Sequence, residues 1–191
     1  MARTKVGVLI SGSGSNCMAL IEAARAADYP AEIALVVSNR PDAAGVEKAR
    51  AAGVATAVID HKPFGKNREA HERSIQAALD AAGVEFVALA GYMRIFTPWF
   101  SGQWSGRMIN IHPSLLPAFP GLHPQQQALD AGVSETGCSV HWVIDGVDEG
   151  PVIGQARVPI LPGDDEASVA ARILAEEHKL YPACLAKAIV G

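Results

Sequence analysis

The sequence predicts an α/β fold built on a mostly parallel central sheet with helices on both faces, and three observations carry that reading. Short β-branched apolar runs alternate with Ala-rich segments of helical period, the pattern of parallel strands joined by crossover helices. Glycines stand just past two of the helical segments, where a left-handed cap is easiest for glycine. The 191 residues, 49% apolar and 19% charged, suffice to bury one core, so a single domain spanning residues 1–191 is expected.

Taken in order, strands are expected near Lys5–Ile10, Ile33–Ser38, Thr56–Ile59 and Phe86–Leu89. Helices are expected between them at Asn16–Ala27, Pro41–Ala52 and Asn67–Ala82, the last two ending at Gly53 and Gly83. This beginning is Rossmann-like. From Gly91 the texture becomes loop-rich, aromatic and proline-dotted, with strands near Met108–Ile111, Cys138–Ile144 and Ile153–Pro159 and a final helix near Glu166–Ile189. Pro113, Pro117, Pro120 and Pro124 predict fixed, irregular backbone with no regular helix or central strand among them. Long ordered loops of this kind usually carry function.

Charge and composition remove several classes of function. The chain holds 16 basic and 20 acidic side chains, a net charge of −4, and no Lys/Arg-rich run, which argues against nucleic acid as a partner. Its apolar runs fall far short of the ~20 residues of a membrane span, and nothing resembles a signal peptide. Cys17, Cys138 and Cys184 are odd in number and widely spaced, fitting neither a disulfide framework nor a cysteine zinc site. A cytoplasmic protein is expected. The charge is uneven: residues 1–107 carry 12 basic and 10 acidic groups (+2), residues 108–191 carry 4 and 10 (−6). Within the acidic half, Asp164, Asp165 and Glu166 read as solvated acids at a helix start.

Ser11-Gly12-Ser13-Gly14-Ser15-Asn16 follows the first strand and opens the first helix. Glycines let backbone N–H groups turn inward and a helix N-terminus adds positive potential, so a phosphate could sit there. The run lacks the lysine of a P-loop, and Cys17 stands where a dinucleotide loop has its third glycine, so a plain strand-to-helix turn capped by Ser15 or Asn16 explains it equally well. Cys17 itself reads as a small buried apolar residue rather than a nucleophile.

In Asn110-Ile111-His112-Pro113, strand alternation sends Asn110 and His112 to one side, and Pro113 ends the strand as the imidazole emerges. An amide donor beside an imidazole suits acyl transfer, the first for an oxyanion and the second for a proton. A satisfied histidine at a sheet end is the plainer alternative. In His141 to Pro151, Asp145, Asp148 and Glu149 bracket a glycine turn, and Asp148 could orient His112 or take a proton through water; otherwise these are solvated turn acids. His112, His123 and His141 could in principle bind metal with these acids, but no H-x-x-x-H pair supports a metal site, and none is expected. Arg94 follows the fourth strand at the edge where open α/β sheets bind ligands. Arg68 stands near a helix start, where a cation is unfavourable unless it reaches an anion.

In combination these stretches resemble the folate-dependent phosphoribosylglycinamide formyltransferases, over about Val6 to Ala188. The resemblance rests on an ordered set: Leu9 to Asn16, Leu89-Ala90-Gly91-Tyr92-Met93-Arg94-Ile95, Asn110 to Pro117, Pro120-Gly121-Leu122-His123 and Asp148-Glu149-Gly150-Pro151. It implies a formyltransferase fold with an antiparallel C-terminal portion. It also implies transfer of the formyl group of 10-formyltetrahydrofolate, the co-substrate, to the amine of glycinamide ribonucleotide in purine biosynthesis. By the same resemblance Asn110, His112 and Asp148 are the catalytic trio. Gly14, Ser15 and Asn16 match the ribonucleotide phosphate site, and Glu177 a carboxylate on the ribose hydroxyls. Arg68, Met93, Arg94, Ile95 and Phe96 match the folate side. Small molecules are the implied partners of a monomer or homodimer.

Ala118 and Gln125 depart from the family, which often has Lys or Ser at the first and a polar or basic residue at the second. Methionyl-tRNA formyltransferases share the Asn-x-His and Ser-Leu-Leu-Pro theme but add a tRNA-binding domain, whereas Ala118-Phe119-Pro120-Gly121 follows here. Formyltetrahydrofolate deformylases carry an N-terminal regulatory domain, for which the first strand at about Lys5 is expected to leave no room. A binding module without catalysis is the remaining alternative.

Overall fold

The computed structural model describes residues 2–191. β1 (Thr4–Ile10), β2 (Ala31–Ser38), β3 (Thr56–Val58), β4 (Phe86–Leu89), β5 (Met108–His112), β6 (Glu135–Trp142) and β7 (Val152–Pro159) form one sheet in the order β3-β2-β1-β4-β5-β6-β7. The first five strands are parallel to one another, whereas β6 runs antiparallel to β5 and β7 antiparallel to β6. The mostly parallel sheet with an antiparallel C-terminal portion is therefore present as expected.

Alternation sorts the side chains onto two apolar faces. Val6, Val8 and Ile10 of β1 with Phe86 and Ala88 of β4 pack under helices α1 (Ser15–Ala23), α2 (Ala44–Ala51) and α6 (Glu166–Val190). Leu9, Val37, Val87 and Leu89 face α3 (Arg68–Ala81) and α4 (Pro98–Gln103), whose Ile75, Leu79 and Phe100 are fully buried. Burial of such side chains, worth about 1.5–3 kcal/mol each, is what holds the layers together. In β5 the odd residues Ile109 and Ile111 join the first face, which leaves Met108, Asn110 and His112 on the other.

Helix ends follow local chemistry. Asn67 caps α3 by accepting from the Ala70 amide at 3.1 Å. Gly53 and Gly83, at φ 82° and 66°, follow α2 and α3 as expected. Asp165 and Ser168 form a reciprocal capping box at α6, and Asp164 pairs with Arg172 at 2.7 Å, so two of the acids read as solvated hold the helix start instead.

Other expectations need correction. α1 stops at Ala23, and α2 begins only at Ala44, after Ala43 with an extended backbone as its N-cap. β6 lies at Glu135–Trp142, earlier than expected, since its antiparallel partner β7 reaches back to Glu135. Helix α5 (Pro124–Asp130) stands where irregular backbone was expected. Pro124 occupies its first turn, where a missing N–H costs nothing, so the proline begins this helix rather than preventing it. Helix α4 was also not foreseen; it too starts at a proline, Pro98.

Candidate functional site

The strand order reverses between β1 and β4, the place where open α/β sheets bind ligands beyond the carboxyl ends of their strands. The loops leaving β1 and β4 meet there: the Ser11 amide donates to the Gly91 carbonyl at 3.1 Å. The Ser11 hydroxyl, buried, donates to Asn39 Oδ1 at 2.6 Å and accepts from the Met93 amide at 2.8 Å. A cavity of about 670 Å³ opens at this junction. Asn16, Met93, Arg94, Ile95, Phe96, Asn110, His112, Asp148 and Glu177 all line it.

Gly14, not Ser15 or Asn16, is the N-cap of α1, and no side chain caps the helix. The first-turn amides of α1 consequently keep their hydrogen-bonding capacity for another acceptor. Gly14 is required twice over: its φ is 71°, and a Cβ there would lie 2.6 Å from the Gly45 Cα. The Gly45 amide in turn donates to the Gly12 carbonyl at 3.0 Å, and Lys48 Nζ donates to the Ser13 carbonyl at 3.0 Å. Asn16 joins this loop to α6 by donating to Glu177 Oε2 at 2.8 Å, while its own Oδ1 is buried without a partner. Burial raises the Glu177 carboxyl above its ordinary range, and the Asn16 amide offsets part of that rise.

Asn110 and His112 both reach Asp148, which sits in the turn between β6 and β7. His112 Nδ1 is 3.4 Å from Asp148 Oδ2, and Asn110 Nδ2 donates to Oδ1 at 3.5 Å. His112 Nε2 lies 3.0 Å from the Phe119 carbonyl, so both ring nitrogens face oxygen atoms. Burial pushes the Asp148 carboxyl up, but hydrogen bonds from His141 and the Gly121 amide and the two nearby imidazoles outweigh it, leaving its pKa below the ordinary carboxylate value. Asp148 itself has a φ of 56°, uncommon for a non-glycine residue. Gly150 closes the same turn, since a Cβ there would fall 1.6 Å from the Trp142 carbonyl oxygen.

His141 is a site residue that sequence reasoning weighed only as a metal ligand. It pairs with Asn110 across β5 and β6, and its Nε2 lies 3.2 Å from Asn110 Nδ2 and 3.5 Å from Asp148 Oδ1. The Gly121 amide, donating to Asp148 Oδ2 at 3.0 Å, was likewise unforeseen. No group of three or more His, Cys, Asp or Glu among the described residues is arranged to hold a metal ion. His123 instead points to Glu166 at 3.3 Å.

On the other flank, Met93 and Ile95 are 66% and 60% exposed at the cavity mouth, joined by exposed Leu122, Ile144 and Val147, which makes an apolar rim suited to a flat aromatic ligand. Arg68 does not line the cavity; it donates to the Ile95 carbonyl at 3.3 Å from the first turn of α3. Gly14 and Ser15 border the cavity through Asn16 rather than lining it. Cys17 is fully buried, and burial raises its thiol to about 12, so it is inert.

Comparison with known proteins gives these features a context. The formyl transferase family pattern matches residues 4–185. The chain is 53% identical over 186 residues to a trifunctional purine biosynthetic protein adenosine-3 of Drosophila pseudoobscura pseudoobscura, covering 96% of this chain and 14% of that protein. It thus spans about a seventh of the length of the first such relatives. It is 47% identical to the phosphoribosylglycinamide formyltransferase of Escherichia coli strain K12, covering 92% of this chain and 82% of that one. The crystal structure of phosphoribosylglycinamide formyltransferase from Brucella melitensis superposes with a TM-score of 0.94 at 51% identity, covering 100% of this chain and 97% of that one.

Proposed function

The chain belongs to the formyl transferase family, and from that premise we propose that it moves the formyl group of 10-formyltetrahydrofolate onto the amine of glycinamide ribonucleotide, its 191 residues acting as one catalytic domain. The observation that carries this reading is the convergence of Asn110 and His112 on Asp148 at the wall of a cavity flanked by an uncapped helix start on one side and an apolar rim on the other.

The chemistry asks for these groups. When the amine attacks the formyl carbon, the carbonyl π electrons move onto oxygen, and the resulting oxyanion accepts from the Asn110 amide and from His112, whose Nε2–H turns to it from the Phe119 carbonyl, each contributing about 3 kcal/mol if well placed. The new C–N bond forms in that step; the oxyanion pair then re-forms the carbonyl as the bond from carbon to folate N10 breaks, and the proton lost by the amine passes to N10. Asp148, ionised, orients His112 and relays that proton through water. No serine or cysteine nucleophile enters, so transfer is direct. The ribonucleotide phosphate sits at Gly14, Ser15 and Asn16, its ribose hydroxyls donate to Glu177, and the folate lies against Met93, Arg94, Ile95 and Phe96 with Arg68 at its outer end. The partners are thus two small molecules, both anionic.

A formyl-transfer assay with glycinamide ribonucleotide and 10-formyltetrahydrofolate tests the reading. Formylated ribonucleotide should appear only when both are present, with no formylated enzyme during turnover. Formate release without the amine would identify a deformylase instead, and binding of both without turnover a non-catalytic module.

A further inference from the structure

Glu72 is a buried acid, 3% exposed, in the second turn of α3, and the proposed chemistry does not use it. Both of its oxygens are engaged by one residue: Oε1 accepts from the Thr97 amide at 2.8 Å, and Oε2 accepts from the Thr97 hydroxyl. Burying a carboxyl group away from water is costly unless its oxygens are satisfied, so the position needs a reason beyond packing. Thr97 is the last residue before α4 and the end of the segment that starts at Gly91. That segment carries Met93, Arg94, Ile95 and Phe96.

The segment has no regular structure of its own, and its shape comes from what grips it. Ser11 holds its near end at the Met93 amide, and Arg68 holds its middle at the Ile95 carbonyl. Glu72 holds its far end. Arg68 and Glu72 are four residues apart, so they project from one face of α3 and form a rail along which the segment lies. Within it Tyr92 stacks on Phe96, and Phe96 on Phe100 of α4, at centroid distances of 5.0 and 4.5 Å. Without Glu72 the Thr97 amide and hydroxyl would be left without their partner, and the end of the rail would be free to shift.

We propose that Glu72 is a positioning residue for the folate side: through Thr97 it fixes the backbone that presents Met93 to Phe96 to the formyl donor. This rests on the reading that the donor lies on that segment. It gives a split that a general loss of structure would not give, because among the described residues the Glu72 carboxylate hydrogen-bonds only to Thr97, at the end of the segment away from the Ser11 contact with the loop after β1.

The test is steady-state kinetics on the full chain with both substrates varied, together with titration by tetrahydrofolate. Glu72→Leu, which keeps the volume and removes both acceptors, should raise the KM for the folate donor about tenfold, as expected for loss of a buried hydrogen-bonded pair, and leave the ribonucleotide KM within about twofold. Thr97→Val removes only the hydroxyl and should give a smaller shift in the same direction. Glu72→Gln, whose amide can still accept from the Thr97 N–H and reach the hydroxyl, should restore donor binding. Equal rises in both KM values, or an unchanged donor KM in Glu72→Leu and Thr97→Val, overturn the proposal. If Glu72→Leu does not fold, Thr97→Val and Glu72→Gln still decide it. Wild-type protein that transfers no formyl group would overturn the functional reading instead, and the tetrahydrofolate titration would then still read Glu72.

Discussion

The two flanks of the cavity are built from different materials. The β1 side is made of backbone: Gly14 at the head of α1, its N–H groups uncapped, packed Cα to Cα on Gly45. The β5 to β7 side is made of side chains: two imidazoles and an amide on one carboxylate, held by antiparallel pairing and a turn whose Asp148 has positive φ. Backbone donors do not titrate and tolerate no added atom. Side-chain donors can be replaced without moving the chain but depend on protonation. The first flank is thus suited to holding a permanent charge, the second to handling a charge that appears and vanishes.

The largest test of that contrast is chemical. Asp148→Asn and His112→Ala should each lower kcat by about a thousandfold while leaving both KM values within a few fold, as loss of general acid–base and oxyanion support predicts. Near-normal turnover in either removes that residue from the mechanism. On the backbone flank, Gly14→Ala places a Cβ against Gly45 at a φ of 71° and should raise the ribonucleotide KM about tenfold or more. A loss of kcat with unchanged ribonucleotide KM would show that the flanks do not divide the work in this way.

The smallest effect concerns pH. The Asp148 carboxyl is held below its ordinary pKa, so the stability it contributes is complete above the unfolded value of about 3.9 and is lost as pH falls through the lower folded value. The gap in unfolding free energy between wild type and Asp148→Asn should therefore be flat from pH 7 to about 5 and shrink only below the ordinary carboxylate range. Denaturant melts at several pH values check this. A gap that closes near neutral pH would mean that the carboxylate is not held as its contacts imply.

The backbone flank was the more legible in the sequence. Glycines after an apolar run before a helical pattern are local signals, and so is Asn-x-His before a proline, whose alternation put Asn110 and His112 on one side. The partners of Asp148 were harder to see, because His141 reaches it only through the pairing of β5 with β6 and Gly121 only through the path of a loop. Spacing along the chain contains neither. Glu72 left a trace: it falls on the stripe with Ile75 and Leu79, at three- and seven-residue separations, so an acid on a buried face was there to be noticed. Pro124 misled because the cost of a proline depends on position, and it occupies a first turn, as Pro98 does. The halves of opposite net charge likewise mattered less than a few placements, since Asp148 and Glu177 lie in the cavity while Asp164 secures a helix.

The Ser11 hydroxyl belongs to both loops at the sheet reversal, accepting from Met93 while it sits at the root of the glycine turn. Its consequence is one of inheritance. Grafting a different glycine turn after β1, if it lost the Ser11 hydroxyl, would also unhook the near end of the segment after β4 at Met93. Any lineage or design that alters one must carry the other through the same atom.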